Sequence, residues 1–95
     1  MKRKRKPMNN SNLPKKRVFL TGATGNMGWS VFLELLKRRE RFEIAILARP
    51  SKKNKEKLKE YINSNGIEII WGDLTNYSDI LNGVTGSDFV LHVGG

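Results

Sequence analysis

The sequence predicts an α/β fold, namely the N-terminal half of a doubly wound parallel sheet that is itself incomplete. From residue 17 onward, four short apolar runs alternate with three helical stretches in the order β-α-β-α-β-α-β. A helical stretch separates each pair of consecutive runs, which requires parallel strands joined by right-handed crossovers. Three glycines also follow the first apolar run, at the point where the first helix begins. The expected strand order is 3-2-1-4.

The net charge of +9 is concentrated at the N-terminus. Residues 1–17 carry eight basic residues and no acidic one, whereas residues 18–95 carry ten basic and nine acidic residues. Residues 1–16 have almost no apolar side chains and are predicted to be a disordered basic tail, which leaves residues 17–95 for the folded domain. A nucleic-acid contact through residues 2–6 is the alternative to a solvated extension. We favour the extension, because a lone basic run is a weak motif.

Composition excludes several kinds of site. Cysteine is absent, which rules out disulfides and cysteine-based metal centres. No apolar run approaches the ~20 residues of a membrane span, and no apolar stretch of a secretory signal follows the basic start, so we expect a cytoplasmic protein without a membrane partner. The single histidine, His92, lacks the neighbouring ligands of a metal site, and we expect it to have a structural role.

The first strand is the continuous apolar run over residues 18–20, which is typical of a strand covered on both faces. An apolar stripe over residues 28–36 then predicts an amphipathic helix. The basic residues 37–39 would end this helix, where cations complement its dipole. The second strand is predicted over residues 43–48.

The second half of the chain repeats the alternation. A charged stretch over residues 53–64 predicts a surface helix, and Asn65-Gly66 would supply its left-handed stop. The third strand is predicted over residues 67–71. Thr75 or Asn76 would cap a short helix over residues 77–82 that ends at Gly83, and residues 88–93 would form the fourth strand.

The segment between the first strand and the first helix predicts an anion site. It reads Thr21-Gly22-Ala23-Thr24-Gly25-Asn26-Met27-Gly28. Gly22 would permit the tight turn, Gly25 would let a diphosphate approach the backbone, and Gly28 would let the helix pack closely on the sheet. The free N–H groups of Gly25, Asn26 and Met27 would then point at the phosphates. A turn that binds nothing is the alternative, but glycines at a helix start are otherwise unfavourable.

The motif over residues 21–28 resembles the signature of the extended short-chain dehydrogenase/reductases, the NAD(P)-dependent epimerase/dehydratase group, which have a Rossmann fold. Gly72-Asp73-Leu74 resembles the Gly-Asp-Leu after that family's third strand, whose Asp contacts the adenine. Residues 90–95 resemble its fourth strand, which ends in two small residues beside the cofactor, commonly Ala-Ala where this chain has Gly-Gly. The resemblance implies that residues 17–95 are the N-terminal part of an NAD(P)-binding Rossmann domain.

The end of the second predicted strand bears on the choice between NAD and NADP. NAD sites place an Asp or Glu about 20 residues past the glycines to bind the ribose 2′-hydroxyl. This chain has Ala48-Arg49 there, and Arg49 can form a charge-assisted pair with a 2′-phosphate, with Ser51 and Lys52 as further contacts. The sequence therefore favours NADP over NAD. The predicted cofactor-binding residues are Gly22, Thr24, Gly25, Asn26, Met27, Gly28, Arg49, Asp73, Leu74, Val93 and Gly94.

The resemblance implies a catalytic Tyr-x-x-x-Lys pair that this sequence does not contain. Asn65 and Leu81 stand where a Lys should follow Tyr61 and Tyr77. No catalytic residue is therefore predicted. The leading hypothesis is the N-terminal portion of an epimerase, dehydratase or reductase whose complete protein transfers hydride to or from a nucleotide sugar or another small alcohol or ketone. The alternative is a non-catalytic NADP-binding redox sensor of the same fold.

Overall fold

The computed structural model describes residues 14–93 and confirms the predicted α/β order. Of the tail predicted over residues 1–16, residues 1–13 lie outside the described residues. The first strand is longer than the predicted run over residues 18–20 and begins at residue 16, the last residue of the predicted tail. The elements are β1 (Lys16–Thr21), α1 (Asn26–Leu36), β2 (Phe42–Ala48), α2 (Lys52–Leu58), a 3₁₀ helix (Lys59–Tyr61), β3 (Ile67–Trp71), α3 (Tyr77–Val84) and β4 (Phe89–His92).

The four strands form one parallel sheet in the order β3-β2-β1-β4, as the sequence predicts. Thr21 at the end of β1 is in register with Leu47 of β2 and with His92 of β4. The carboxyl ends of the strands therefore meet at one edge of the sheet. The chain order reverses between β1 and β4, and in such sheets ligands bind in the crevice outside this edge.

The core lies on both faces of β1 and β2. On one face, Phe32 of α1 and Leu58 of α2 are fully buried against Leu20 and its neighbours in the sheet. On the other face, Ile80 of α3 packs against the cluster around Phe19. Burial on both faces explains why these strands read as continuous apolar runs. In contrast, every residue of β4 is exposed.

The first two helices end earlier than predicted. Helix α1 ends at residue 36, so the basic residues 37–39 lie just beyond it. Lys37 and Arg38 form ion pairs with the Glu34 side chain, and Arg38 also donates to Glu34 O in the last turn of the helix, as expected for a cation at a helix C-terminus. Helix α2 ends at residue 58, and a 3₁₀ turn follows in place of a helix to residue 64. This turn places the ring of Tyr61 5.1 Å from that of Phe32, so Tyr61 packs edge-on against α1.

Helix α3 differs from the prediction at its C-terminus. Gly83 does not end the helix; it lies inside it and packs so closely on the ring of Phe19 that a Cβ would overlap the ring. The left-handed glycine after the helix is Gly86, with φ 80°. At the other end Asn76, rather than Thr75, is the N-cap, and its side chain accepts a hydrogen bond from the N–H of Asp79. The left-handed conformation predicted at Gly66 is confirmed by its φ of 84°, but this glycine lies in the turn before β3 and does not end the helix, which stops earlier.

Candidate functional site

The predicted site residues come together at the carboxyl edge of the sheet. The glycine loop, defined here as residues 22–28, follows β1, and Arg49 follows β2. Residues 72–74 follow β3, and Val93 follows β4 and donates its backbone N–H to Thr21 O at 3.1 Å. Gly94 lies outside the described residues. Parallel pairing thus brings together segments that are far apart in the sequence.

Two glycines of the loop are required by the fold itself. Gly22 has φ 78°, a left-handed conformation that favours glycine. Its carbonyl oxygen accepts a hydrogen bond from the N–H of Gly25 at 3.2 Å, which closes the turn. Gly28 lies against the same carbonyl group, where a Cβ would overlap the oxygen. The loop is therefore tightly folded before any ligand is considered.

The prediction of three free N–H groups was wrong for Gly25, because the turn uses its N–H. Asn26 and Met27 are the first residues of α1, and no described residue accepts a hydrogen bond from their N–H groups. Gly25 is the N-cap and provides no side-chain cap. A helix N-terminus in this state presents two backbone donors and the positive end of the helix dipole. These two amides suit an anionic group.

Gly25 itself is not required by the fold. Its φ of −81° suits any residue, and a Cβ built on it would meet only Gly22 O, at an ordinary 3.6 Å. The residue is exposed, so the missing side chain leaves open space directly before the two backbone donors. A diphosphate fits that chemistry, since its oxygens need both the space and the donors.

A pocket of about 170 Å³ lies next to the loop. This volume is below the ~300–1,000 Å³ that is typical of a whole small-molecule site, so the pocket has room for one part of a larger ligand. It is bordered by loops from three strand ends. The lining residues are Gly22, Thr24, Leu47, Ala48, Arg49, Asn54, Gly72 and Leu74.

Arg49 lines this pocket, and it forms a loose ion pair with Asp73, whose chain neighbours Gly72 and Leu74 also line the pocket. The Nε of Arg49 lies 3.7 Å from Oδ2 of Asp73, which is too long for a good hydrogen bond, and the Arg49 side chain is 73% exposed. The other carboxylate oxygen of Asp73 accepts from the backbone N–H of Thr75 at 2.9 Å and from its hydroxyl at 3.0 Å. These hydrogen bonds, with a smaller contribution from Arg49, lower the pKa of Asp73. Asp73 is therefore ionised at neutral pH.

Sequence reasoning missed Asp79, which holds the segment after β3 in place. Its Oδ2 accepts from the backbone N–H of Asp73 at 2.9 Å. The same carboxylate occupies the space that a Cβ on Gly72 would need. Asn76-x-x-Asp79 has the spacing of a capping box, but the Asp79 carboxylate accepts from the N–H of Asp73 rather than from that of Asn76, so this pattern would not have predicted the contact.

Helix α2 connects the two sides of the pocket, which the sequence did not reveal. Ser51, predicted as a ligand contact, accepts from the N–H of Asn54 and caps the helix. Asn54 in turn donates its side-chain amide to Arg49 O at 3.0 Å. At the other end, Lys57 donates to Thr24 O in the glycine loop at 3.1 Å. Lys52, the other predicted contact, is exposed at the first position of the helix.

Met27, a predicted site residue, and His92, which was expected to be structural, contribute less directly. The side chain of Met27 is 73% exposed and borders a separate apolar groove along α1, so only the backbone of Met27 faces the candidate site. His92 lies beside the loop, with Nδ1 2.6 Å from the hydroxyl oxygen of the buried Thr21. This contact agrees with the structural role expected for His92.

Within residues 14–93, the structure contains no helix with the length and apolar character needed to cross a membrane. Over the same residues, no group of three or more His, Cys, Asp or Glu side chains could hold a metal ion.

Comparison with known proteins connects this geometry to a family. The model of the NmrA-like family matches residues 14–95. Over 80 residues the chain is 34% identical to a UDP-glucose 4-epimerase of Rickettsia bellii (strain RML369-C). The aligned region covers 81% of this chain and 23% of that protein. The corresponding protein of Rickettsia prowazekii (strain Madrid E) is 32% identical with the same coverage.

A solved structure shares the fold. The X-ray structure of Pen from Bacillus thuringiensis superposes with a TM-score of 0.71 at 27% identity, covering 85% of this chain and 25% of that one. The chain thus spans about a quarter of the length of the relatives it matches.

Proposed function

This chain belongs to the NmrA-like family of NAD(P)-binding Rossmann-type proteins, and on that premise we propose that residues 17–95 bind the diphosphate and adenosine parts of a nicotinamide dinucleotide. The observation that carries the proposal is Gly25. The fold does not need a glycine there, and Gly25 is the exposed N-cap directly before Asn26 and Met27, so its missing side chain leaves this helix N-terminus open. A ligand that must approach this backbone explains the residue.

In the proposed complex the diphosphate lies on the N-terminus of α1 and the adenosine enters the pocket next to it. Asp73 accepts from the adenine, and Leu74 covers it as an exposed apolar side chain that borders the pocket. Val93 follows the neighbouring strand and borders the other half of the dinucleotide, on the far side of the point where the strand order reverses. Gly94, which lies outside the described residues, is proposed as a contact from the sequence alone.

We further propose that the cofactor is NADP. No acidic residue stands at the end of β2 to bind the 2′-hydroxyl of NAD. Arg49 is exposed and only loosely paired with Asp73, so its guanidinium can turn to a 2′-phosphate without losing a strong contact. A phosphate also offers the planar guanidinium a better, bidentate partner.

For the complete protein we propose hydride transfer between the nicotinamide and a carbon that bears a hydroxyl or carbonyl group. The two relatives named UDP-glucose 4-epimerase favour a nucleotide sugar as the substrate, and another small alcohol or ketone is the alternative. The cofactor supplies the hydride chemistry. The residues of this chain bind and orient the cofactor.

The test is a Gly25→Ser variant. Serine is a favourable N-cap residue, so the variant should be at least as stable as the parent. Its Cβ and hydroxyl would nevertheless occupy the space and the donors that the diphosphate needs. We expect calorimetric titration with NADP⁺ to show affinity reduced by about tenfold or more, since tenfold corresponds to the loss of about one good interaction.

Ser30→Ala is the matched control, because Ser30 is exposed on α1 and does not border the pocket. It should bind as the parent does. Unchanged affinity in Gly25→Ser, or a parent protein that binds neither NADP⁺ nor NAD⁺, would refute the proposed function.

A further inference from the structure

We propose that Lys57 is a positioning residue that fixes the glycine loop for diphosphate binding, an inference that rests on the proposed function. The Nζ of Lys57 lies 3.1 Å from Thr24 O and 4.8 Å from the centre of the Trp29 ring. Among residues 14–93, Lys57 is the one lysine that the fold half-buries; the other lysines in that range are exposed. Its ammonium group is thus held at a defined place beside the loop.

The two contacts of Lys57 lie on either side of the corner where the loop becomes α1. Thr24 precedes Gly25, the N-cap. Trp29 donates its backbone N–H to Gly25 O at 2.8 Å in the first turn of the helix. The residue next to Lys57, Leu58, is fully buried in the core. Lys57 therefore extends from a fixed part of α2 and contacts both ends of the corner.

The contact with Thr24 acts on a single peptide group. The C=O of Thr24 and the N–H of Gly25 belong to the same planar unit. The carbonyl accepts from Lys57, and the N–H donates to Gly22 O at 3.2 Å, so this peptide plane is held at both ends. Its orientation determines the direction in which the chain enters α1, and hence where the N–H groups of Asn26 and Met27 point.

A fixed peptide plane lowers the free-energy cost of binding. Donors that already point at the phosphate position need not be ordered when the ligand arrives. Without the ammonium group, the carbonyl of Thr24 would hydrogen-bond to water, and the plane would be held only by the Gly22 contact. The glycine loop would then sample more orientations, and the affinity for any ligand that carries a diphosphate would fall.

This role differs from that of a 2′-phosphate ligand in a measurable way. A group that binds the 2′-phosphate discriminates between NADP⁺ and NAD⁺, because only NADP⁺ carries that phosphate. A group that positions the glycine loop acts on the diphosphate, which both dinucleotides share. Loss of Lys57 should therefore weaken both to the same extent, whereas loss of Arg49 should weaken NADP⁺ alone.

The variant is Lys57→Met, which keeps an unbranched apolar side chain over Trp29 and removes the donor. We expect affinities for NADP⁺ and NAD⁺ to fall by the same factor, about tenfold, which corresponds to the loss of one charge-assisted hydrogen bond. Lys55→Met is the matched control, because Lys55 lies on the same helix but its ammonium group is 5.9 Å from the centre of the Trp71 ring rather than beside the glycine loop. Its affinities should equal those of the parent.

A second readout needs no ligand. Amide hydrogen exchange over residues 22–28 should accelerate in Lys57→Met and not in Lys55→Met, and Lys57→Arg, which keeps a donor, should restore part of the protection. A loss of affinity confined to NADP⁺ would mean that Lys57 binds the 2′-phosphate instead. Unchanged hydrogen exchange would mean that Lys57 does not hold the loop in place. Either result would overturn the inference. If the parent bound neither dinucleotide, the proposed function would fail, and hydrogen exchange alone would decide whether Lys57 fixes the loop.

Discussion

Gly28 lies against the carbonyl group of Gly22, and a Cβ at position 28 would overlap that oxygen. A Cβ on Gly25 would meet the same oxygen at 3.6 Å, an ordinary van der Waals distance. The absence of a side chain thus has a different physical reason at each of the two positions. Gly28 is needed so that α1 can begin close to the loop, whereas Gly25 leaves space on the outside of the loop, where a ligand can approach.

Substitution of Gly28 should therefore affect stability rather than binding alone. In Gly28→Ala the added methyl group must push α1 away from the loop, and overpacking of this kind costs about 1–3 kcal/mol. Urea unfolding followed by tryptophan fluorescence would measure the loss. Gly25→Ser is the comparison and should unfold at a urea concentration no lower than the parent. Equal midpoints for Gly28→Ala and the parent would show that α1 can move outward without loss.

Gly83 should behave in the same way on the other face of the sheet. In Gly83→Ala the methyl group would overlap the ring of Phe19. The better helix propensity of alanine, about 1 kcal/mol, would offset part of the packing penalty. Phe19→Leu should make room for the methyl group. The double variant should therefore lose less unfolding free energy than the sum of the losses in the two single variants. Additive effects in the unfolding free energies would mean that the ring and the glycine are not in close contact.

Thr21 and His92 should be coupled energetically. The Thr21 hydroxyl is 2.6 Å from Nδ1 of His92, and it joins the ends of β1 and β4 where the strand order reverses. Thr21→Val keeps the shape of the side chain and removes the hydrogen bond, at a cost of about 1 kcal/mol. In a double-mutant cycle with His92→Leu, the second substitution should cost less once the first has been made. Independent effects would contradict the coupling.

Much of the fold could be predicted from the sequence, because parallel strands that are buried on both faces have continuous apolar sequences. The bounds of β3 were predicted correctly at Ile67 and Trp71, and the strand order followed from the crossovers. Gly83 was misread as a helix stop, because a glycine that makes room for Phe19 and one that ends a helix look the same in a sequence. Only the packing distinguishes them.

The candidate site was predicted less completely. The glycine loop and Arg49 lie at strand ends, where topology dictates a ligand crevice, and their types suggested their chemistry. The role of Lys57 could not be predicted, because it stands in a run of charged residues and is distinguished only by its contacts with Thr24 and Trp29. The N–H of Gly25 was misjudged because the turn that uses it depends on backbone angles.

The pKa of Asp73 leads to a prediction about pH. Hydrogen bonds from Thr75, and to a smaller extent the positive charge of the nearby Arg49, lower its pKa below the ordinary 3.8. A lowered pKa in the folded protein means that the ionised form stabilises the fold above pH 3.8, and that this contribution is lost as the pH falls through the folded-state pKa. Asp73→Asn should therefore be less stable than the parent at neutral pH, and the difference in urea midpoint should shrink in acid. A difference that is constant with pH would show that ionisation of Asp73 does not matter to the fold.

Arg49 provides the sharpest test of cofactor choice. Arg49→Asp places a carboxylate where NAD sites have one, so NADP⁺ should bind more weakly by about a hundredfold, the equivalent of roughly 2.7 kcal/mol, and NAD⁺ at least as well as before. Lys53→Asp makes the same change in charge at an exposed position of α2 and controls for the overall field. If Lys53→Asp weakened NADP⁺ as much, the effect would be long-range electrostatics, and high salt should then abolish it. A parent that binds NADP⁺ and NAD⁺ equally would mean that the Arg49 guanidinium stays with Asp73 and never reaches the ribose.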